Sequence, residues 1–135
     1  IPHASILADR FQLPTVYVRS EAKAHGQGRQ IEGHFRSGMK AVVVEDTLST
    51  GKSSYEAVRA LQQAGVDVLA VLTILSYDFD VAMQKMRETG VPVYRLVSYH
   101  DLVRVAVAVG VIPETEVDLL MKWREAPDSF VAAQK

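Results

Sequence analysis

Cysteine is missing from this 135-residue sequence, which removes disulfide stapling, thiolate catalysis and thiolate metal sites. The four histidines are scattered and lack the spacing of a zinc site. A charge of one sign is missing too: 15 Lys and Arg against 16 Asp and Glu leave a formal charge of -1. That is too little to hold a polynucleotide or an anionic membrane by a bulk field, so any anion site must be local. Aromatic residues are few, at 7%, and do not interleave with basic ones as a base-stacking surface requires. No apolar run reaches the length of a bilayer span, and no basic head precedes a hydrophobic signal core. A cytoplasmic protein with no nucleic-acid and no membrane partner is expected. The chain opens Ile1-Pro2-His3 without an initiator Met, which reads as a piece of a longer polypeptide.

What is present is 48% apolar residues, enough for one domain over residues 1–135 with a core of its own. Residues 3–11 place Ile6, Leu7 and Phe11 on one helical face, and Thr15 to Val18 reads as a short strand after Pro14. From Arg19 to Lys40 the pattern breaks into basic residues and glycines, so a mobile loop is expected at about 19–30, with a brief edge strand at Ile31 to Phe35. Ala41 to Val44 is a continuous apolar run of the kind buried on both faces of a parallel sheet, and it should be a central strand. A helix over Ser53 to Ala64 follows, with Tyr55, Val58 and Leu61 inward. Next come a strand at Val66 to Leu75, a helix at Phe79 to Thr89 through Val81, Met83 and Met86, and a strand at Val91 to Leu96. Three successive strand–helix units predict an open, mostly parallel sheet flanked by helices, an α/β fold. His100 to Val109 alternates as a strand would, yet its alanines permit an apolar buried helix, which is the reading adopted. A last helix is expected at about 114–126, with Val117, Leu120, Met121 and Trp123 inward and Thr115 with Asp118 as a weak cap. The tail after Pro127 should fray.

The chemistry concentrates in Val42-Val43-Val44-Glu45-Asp46-Thr47-Leu48-Ser49-Thr50-Gly51-Lys52-Ser53. Ligands of open parallel sheets collect beyond the carboxyl ends of the strands, where this segment should lie. The backbone N–H groups of Ser49 through Ser53 can converge on a phosphate at the start of the following helix, and the hydroxyls of Thr47, Ser49, Thr50 and Ser53 add donors. Gly51 lets the loop close around it. Two acids facing a phosphate would repel it, so Glu45 and Asp46 are expected to accept hydrogen bonds from a neighbouring diol. A ribose 5-phosphate satisfies both halves. A nucleotide loop of the GxxxxGK[ST] type fails because Asp46 stands where its first glycine belongs. The alternative is a plain strand end followed by an ordinary helix-capping turn.

Residues 42–54 resemble the ribose-phosphate loop of the type I phosphoribosyltransferases. Tyr17-Val18-Arg19-Ser20-Glu21-Ala22-Lys23-Ala24-His25-Gly26, followed by Ile31-Glu32-Gly33, resembles the catalytic loop of the orotate phosphoribosyltransferase family in its Bacillus-like form, and the likeness extends to Trp123-Arg124. The resemblance implies a type I phosphoribosyltransferase fold lacking the family's N-terminal part, which would precede Ile1. It implies transfer of the phosphoribosyl group of phosphoribosyl pyrophosphate to orotate, giving orotidine 5-phosphate and pyrophosphate. Magnesium would be carried mainly by the substrate, with no metal site of the protein's own, and a homodimer would share its active sites. Catalytic roles fall on Arg19, Lys23, His25 and Asp46, and substrate binding on Glu45, Asp46, Thr47, Leu48, Ser49, Thr50, Gly51, Lys52 and Ser53. Departures include Lys52 for a frequent Gly, Ser20 for a common Lys, and Ser76-Tyr77 where many relatives carry Asp-Arg to meet the orotate carboxylate. A non-catalytic regulatory or assembly protein that binds phosphoribosyl pyrophosphate, and a purine-type phosphoribosyltransferase, are the alternatives.

Overall fold

Pro2 pre-sets a helical φ at the first turn, and α1 runs Pro2–Phe11. It ends at Gln12, which is left-handed at φ 53° and places its side-chain amide on the Asp9 carbonyl at 2.7 Å. The computed structural model describes residues 1–19 and 30–128. Ile6, Leu7 and Phe11 share a face of α1 as their spacing predicts, yet none of them is buried among the described residues. Strand β1 (Val16–Val18) pairs antiparallel with β2 (Ile31–Gly33), Val16 opposite Gly33 and Val18 opposite Ile31, as a two-stranded ribbon separate from the main sheet. Most of the loop expected at 19–30 lies outside the described residues.

The remaining elements alternate: β3 (Lys40–Leu48), α2 (Lys52–Gln63), β4 (Asp67–Ser76), α3 (Asp80–Thr89), β5 (Val93–Ser98) and α4 (Tyr99–Ala108). A short 3-10 turn at Glu114–Glu116 leads into α5 (Val117–Glu125). The three strands form a parallel sheet in the order β3-β4-β5. Helices α2 and α3 cover one face, and Val58, Leu61, Val66, Val68, Val71, Met86 and Val91 make the core beneath them.

The structure corrects four readings of the sequence. First, among the described residues β3 is an edge strand and β4 the central one. Second, β3 is not buried on both faces. The register that aligns Val44 with Leu72 and Leu72 with Tyr94 gathers Val42, Leu72, Ile74, Tyr94 and Leu96 on one side, and all five are exposed. Third, Val81 points outward, and Ala82, Met86 and Thr89 are the buried residues of α3, with Met83 half-buried, because the face that meets the sheet runs through 82, 86 and 89 at helical spacing. Fourth, α4 is a helix, but only Tyr99 and Val103 are buried, while Val105 and Val109 face outward. Its start is set by a capping box: Ser98 Oγ accepts from the Asp101 N–H at 3.0 Å while Asp101 Oδ2 accepts from the Ser98 N–H at 3.3 Å. The cap expected at Thr115 does not form, and no side chain caps α5. Val117, Leu120, Met121 and Trp123 nevertheless share its inward side.

Candidate functional site

Acidic residues are poor strand formers, yet β3 continues through Glu45 and Asp46, because its ladder with β4 is kept: Glu45 aligns with Thr73, Thr47 with Leu75 and Leu48 with Ser76. The two acids therefore lie inside the strand, not on the loop after it. Neighbours on a strand point to opposite faces. Glu45 turns toward α2, where its Oε2 accepts from Ser53 Oγ at 3.0 Å and from Ser54 Oγ at 3.1 Å. Asp46 is exposed on the other side, its Oδ1 accepting the Thr47 N–H at 2.7 Å. That backbone hydrogen bond holds the Asp46 carboxyl below its ordinary value of 3.8, helped by the adjoining Glu45 carboxyl and, more weakly, by His3 of α1. Glu45 and the two serines are bonded to each other, and Asp46 is the more accessible carboxylate.

After Asp46 the chain makes the turn that the sequence placed around a phosphate. Leu48 is buried and anchors it, and its carbonyl accepts the Tyr77 N–H at 3.1 Å, tying it to the end of β4. Ser49 and Thr50 are exposed. Gly51 is left-handed at φ 74°, which favours glycine, and a Cβ there would crowd α3 at 3.1 Å from the Ala82 Cα. Gly51 is also the N-cap of α2, and no side chain caps that helix. Its first N–H groups and the positive end of its dipole are presented to an anion. The Lys52 ammonium is exposed and lies 3.9 Å from Glu56 one turn on, an arrangement of little energetic weight.

Of the predicted cationic residues, Arg19 is described, and Lys23 and His25 lie outside the described residues. Arg19 leaves β1 beside the Tyr17 ring, its Nε 3.1 Å from Glu32 Oε1 across the ribbon. Among the described residues no cluster of three or more acidic or histidine side chains is arranged to hold a metal ion, and no helix is long and apolar enough to cross a membrane.

Composition and periodicity did not reveal the second turn on this rim, Ser76 to Phe79. Asp78 is left-handed at φ 53°, its Oδ1 accepting from Ser76 Oγ at 2.6 Å and its Oδ2 lying 3.1 Å from Arg95 Nη2. Tyr77, Phe79, Tyr99 and Trp123 form an aromatic cluster with ring centroids 5.3–5.9 Å apart. Burial, with the nearby Tyr77, pushes the Tyr99 hydroxyl above its ordinary pKa. Its forewarnings in the sequence were the departure at Ser76-Tyr77 and the motif Trp123-Arg124.

The model of the phosphoribosyl transferase domain family matches residues 1–111. The orotate phosphoribosyltransferase of Bacillus caldolyticus is 45% identical over 130 residues, which cover 96% of this chain and 63% of that protein. The one from Lactococcus lactis subsp. cremoris is 42% identical over 132 residues, covering 98% and 63%. The chain thus spans a little under two thirds of the length of these relatives. Among solved structures, Leishmania donovani UMP synthase superposes with a TM-score of 0.74 at 25% identity, over 92% of this chain and 26% of that one. Mycobacterium tuberculosis orotate phosphoribosyltransferase in complex with 5-phospho-alpha-D-ribosyl 1-diphosphate gives a TM-score of 0.56 at 32% identity, covering 67% of this chain and 50% of that one.

Proposed function

For a chain that belongs to the phosphoribosyl transferase domain family, we propose that the rim of β3 binds phosphoribosyl pyrophosphate and serves transfer of its phosphoribosyl group to orotate. One observation carries the reading: the left-handed Gly51 opens the uncapped amino end of α2 one short turn beyond the exposed carboxylate of Asp46. The helix end takes the 5-phosphate, with Ser49 and Thr50 beside it. Asp46 accepts hydrogen bonds from the ribose hydroxyls, and Glu45 fixes the entrance of α2 through Ser53 and Ser54.

As the bond from ribose C1 to pyrophosphate stretches, positive charge grows on the sugar and negative charge on the leaving group. Cations aimed at the leaving group stabilise that state more than the ground state. Arg19 is suited to this because an exposed pair such as Arg19–Glu32 is worth only about 0.2–1 kcal/mol, so exchanging Glu32 for pyrophosphate costs little. Lys23 and His25 are assigned the same work from the sequence resemblance. The isolated carboxylates at this rim fit a magnesium ion held chiefly by substrate oxygens, where it would neutralise pyrophosphate charge. A homodimer in which the basic loop serves the neighbouring site is the assembly this reading favours.

The test is calorimetric titration of the chain with phosphoribosyl pyrophosphate and magnesium, alongside an assay of orotidine 5-phosphate formation. Saturable donor binding with orotate-dependent turnover is the expected result. Donor binding without turnover with any base would favour a regulatory binder, and turnover with adenine or hypoxanthine a purine enzyme. No donor binding at all would remove the proposal.

A further inference from the structure

The rim beyond the sheet carries two turns side by side, and the reading above uses only the one after β3. The second, Ser76 to Phe79, is braced through both its side chains and its main chain. Its brace comes from far along the chain. Arg124, in the last turn of α5, donates from Nε to the Tyr77 carbonyl at 2.9 Å and from Nη2 to the Asp78 carbonyl at 2.8 Å. The guanidinium fork matches two successive carbonyls, which a lysine ammonium cannot do. Asp78 at φ 53° is a left-handed non-glycine residue, a conformation that aspartate adopts more readily than most and that recurs at functional sites. Here Ser76, Arg95 and Arg124 enforce it together. Trp123 packs edge-on against Tyr77 and Phe79, so α5 grips the turn by both its rings and its main chain.

The braced turn also reaches the sugar-phosphate turn, through the Tyr77 N–H on the Leu48 carbonyl. With phosphate assigned to the start of α2 and ribose to Asp46, the neighbouring turn is taken to meet the acceptor base, as the resemblance implies for the position of Ser76-Tyr77. We propose that Arg124 is a positioning residue of this site: it locks the turn at Tyr77 and Asp78 into the shape that contacts the base joined to the ribose phosphate. The inference rests on the function proposed above for the β3 turn.

Two ligands separate the contributions. Ribose 5-phosphate engages the β3 turn alone, whereas orotidine 5-phosphate adds the base. Calorimetry on the unsubstituted chain should show tighter binding of orotidine 5-phosphate. Arg124→Gln should weaken that ligand about tenfold and leave ribose 5-phosphate within about twofold, since it removes two charge-assisted hydrogen bonds from the base side only. Arg124→Lys should fall between, because its point charge reaches one carbonyl at a time. Emission from Trp123, the only tryptophan, reports whether the cluster stays assembled; if Arg124→Gln loses it, Arg124→Lys decides. Equal weakening of both ligands, no change in either, or no preference for orotidine 5-phosphate in the unsubstituted chain would overturn the proposal. Failure of the unsubstituted chain to bind ribose 5-phosphate would instead strike the assignment of the β3 turn itself.

Discussion

Gly51 and Asp46, proposed to serve one ligand, do so through different physics. At Gly51 any side chain meets two penalties, a left-handed backbone and the Ala82 main chain 3.1 Å from the new Cβ. Gly51→Ala should therefore destabilise the protein by about 1–2 kcal/mol from the backbone alone and weaken ribose 5-phosphate binding, read by urea unfolding and calorimetry on the same sample. Asp46 is a question of charge. Its folded pKa lies below the ordinary 3.8 because the Thr47 N–H bonds the ionised form. The stabilisation is thus present above the unfolded value and disappears only as pH falls through the depressed folded value. The carboxyl carbon resonance of Asp46 should titrate with a midpoint under 3.8; a midpoint above it would mean that the Thr47 bond is not formed in solution. Asp46→Asn should weaken ribose 5-phosphate binding across the neutral range, where the carboxylate is otherwise fully ionised.

At the scale of elements, α4 shows what a local signal can decide. Its alternating valines fit a strand as well as a helix, and the capping box of Ser98 and Asp101 resolves the ambiguity by satisfying the first backbone donors of a helix. Ser98→Ala should cost about 1 kcal/mol, measured as a shift in the urea midpoint at constant slope. Hydrogen bonds from Ser98 also hold the Asp101 carboxyl below its ordinary range. The contribution of the box should persist above the unfolded pKa of Asp101 and fade as pH drops through the lowered folded value, so Asp101→Asn should flatten that acid dependence. The end of β3 was less legible. Glu45 and Asp46 signal a strand's end by propensity, but pairing of Glu45, Thr47 and Leu48 with β4 outweighs it. From the residues alone the turn after β3 could be located, because Gly51 and its hydroxyl neighbours are contiguous. The brace on the second turn could not, although Ser76-Tyr77 itself stood out, because Ser76, Arg95, Tyr99 and Arg124 lie on four elements, β4, β5, α4 and α5, and meet only once these have packed.

Across the whole molecule the strands and helices follow the apolar periodicity of the sequence, but periodicity does not say what covers each face of a sheet. Val42-Val43-Val44 reads as buried on both sides, and only the side of Val43 meets the core formed with α2 and α3. On the other side Leu96 is 81% exposed, against 1% for Met86 under α3. Two substitutions of comparable chemistry should therefore behave very differently. Met86→Ala removes side-chain atoms from a filled interior and should cost about 2–5 kcal/mol, the transfer term plus the cavity left behind. Leu96→Ala removes atoms already in water and should change stability by no more than about 0.5 kcal/mol. Urea unfolding of both variants at one protein concentration measures the asymmetry. A large loss at Leu96 would show that the outer face of β5 is covered in solution, and the one-sided core would then be the wrong description of this fold.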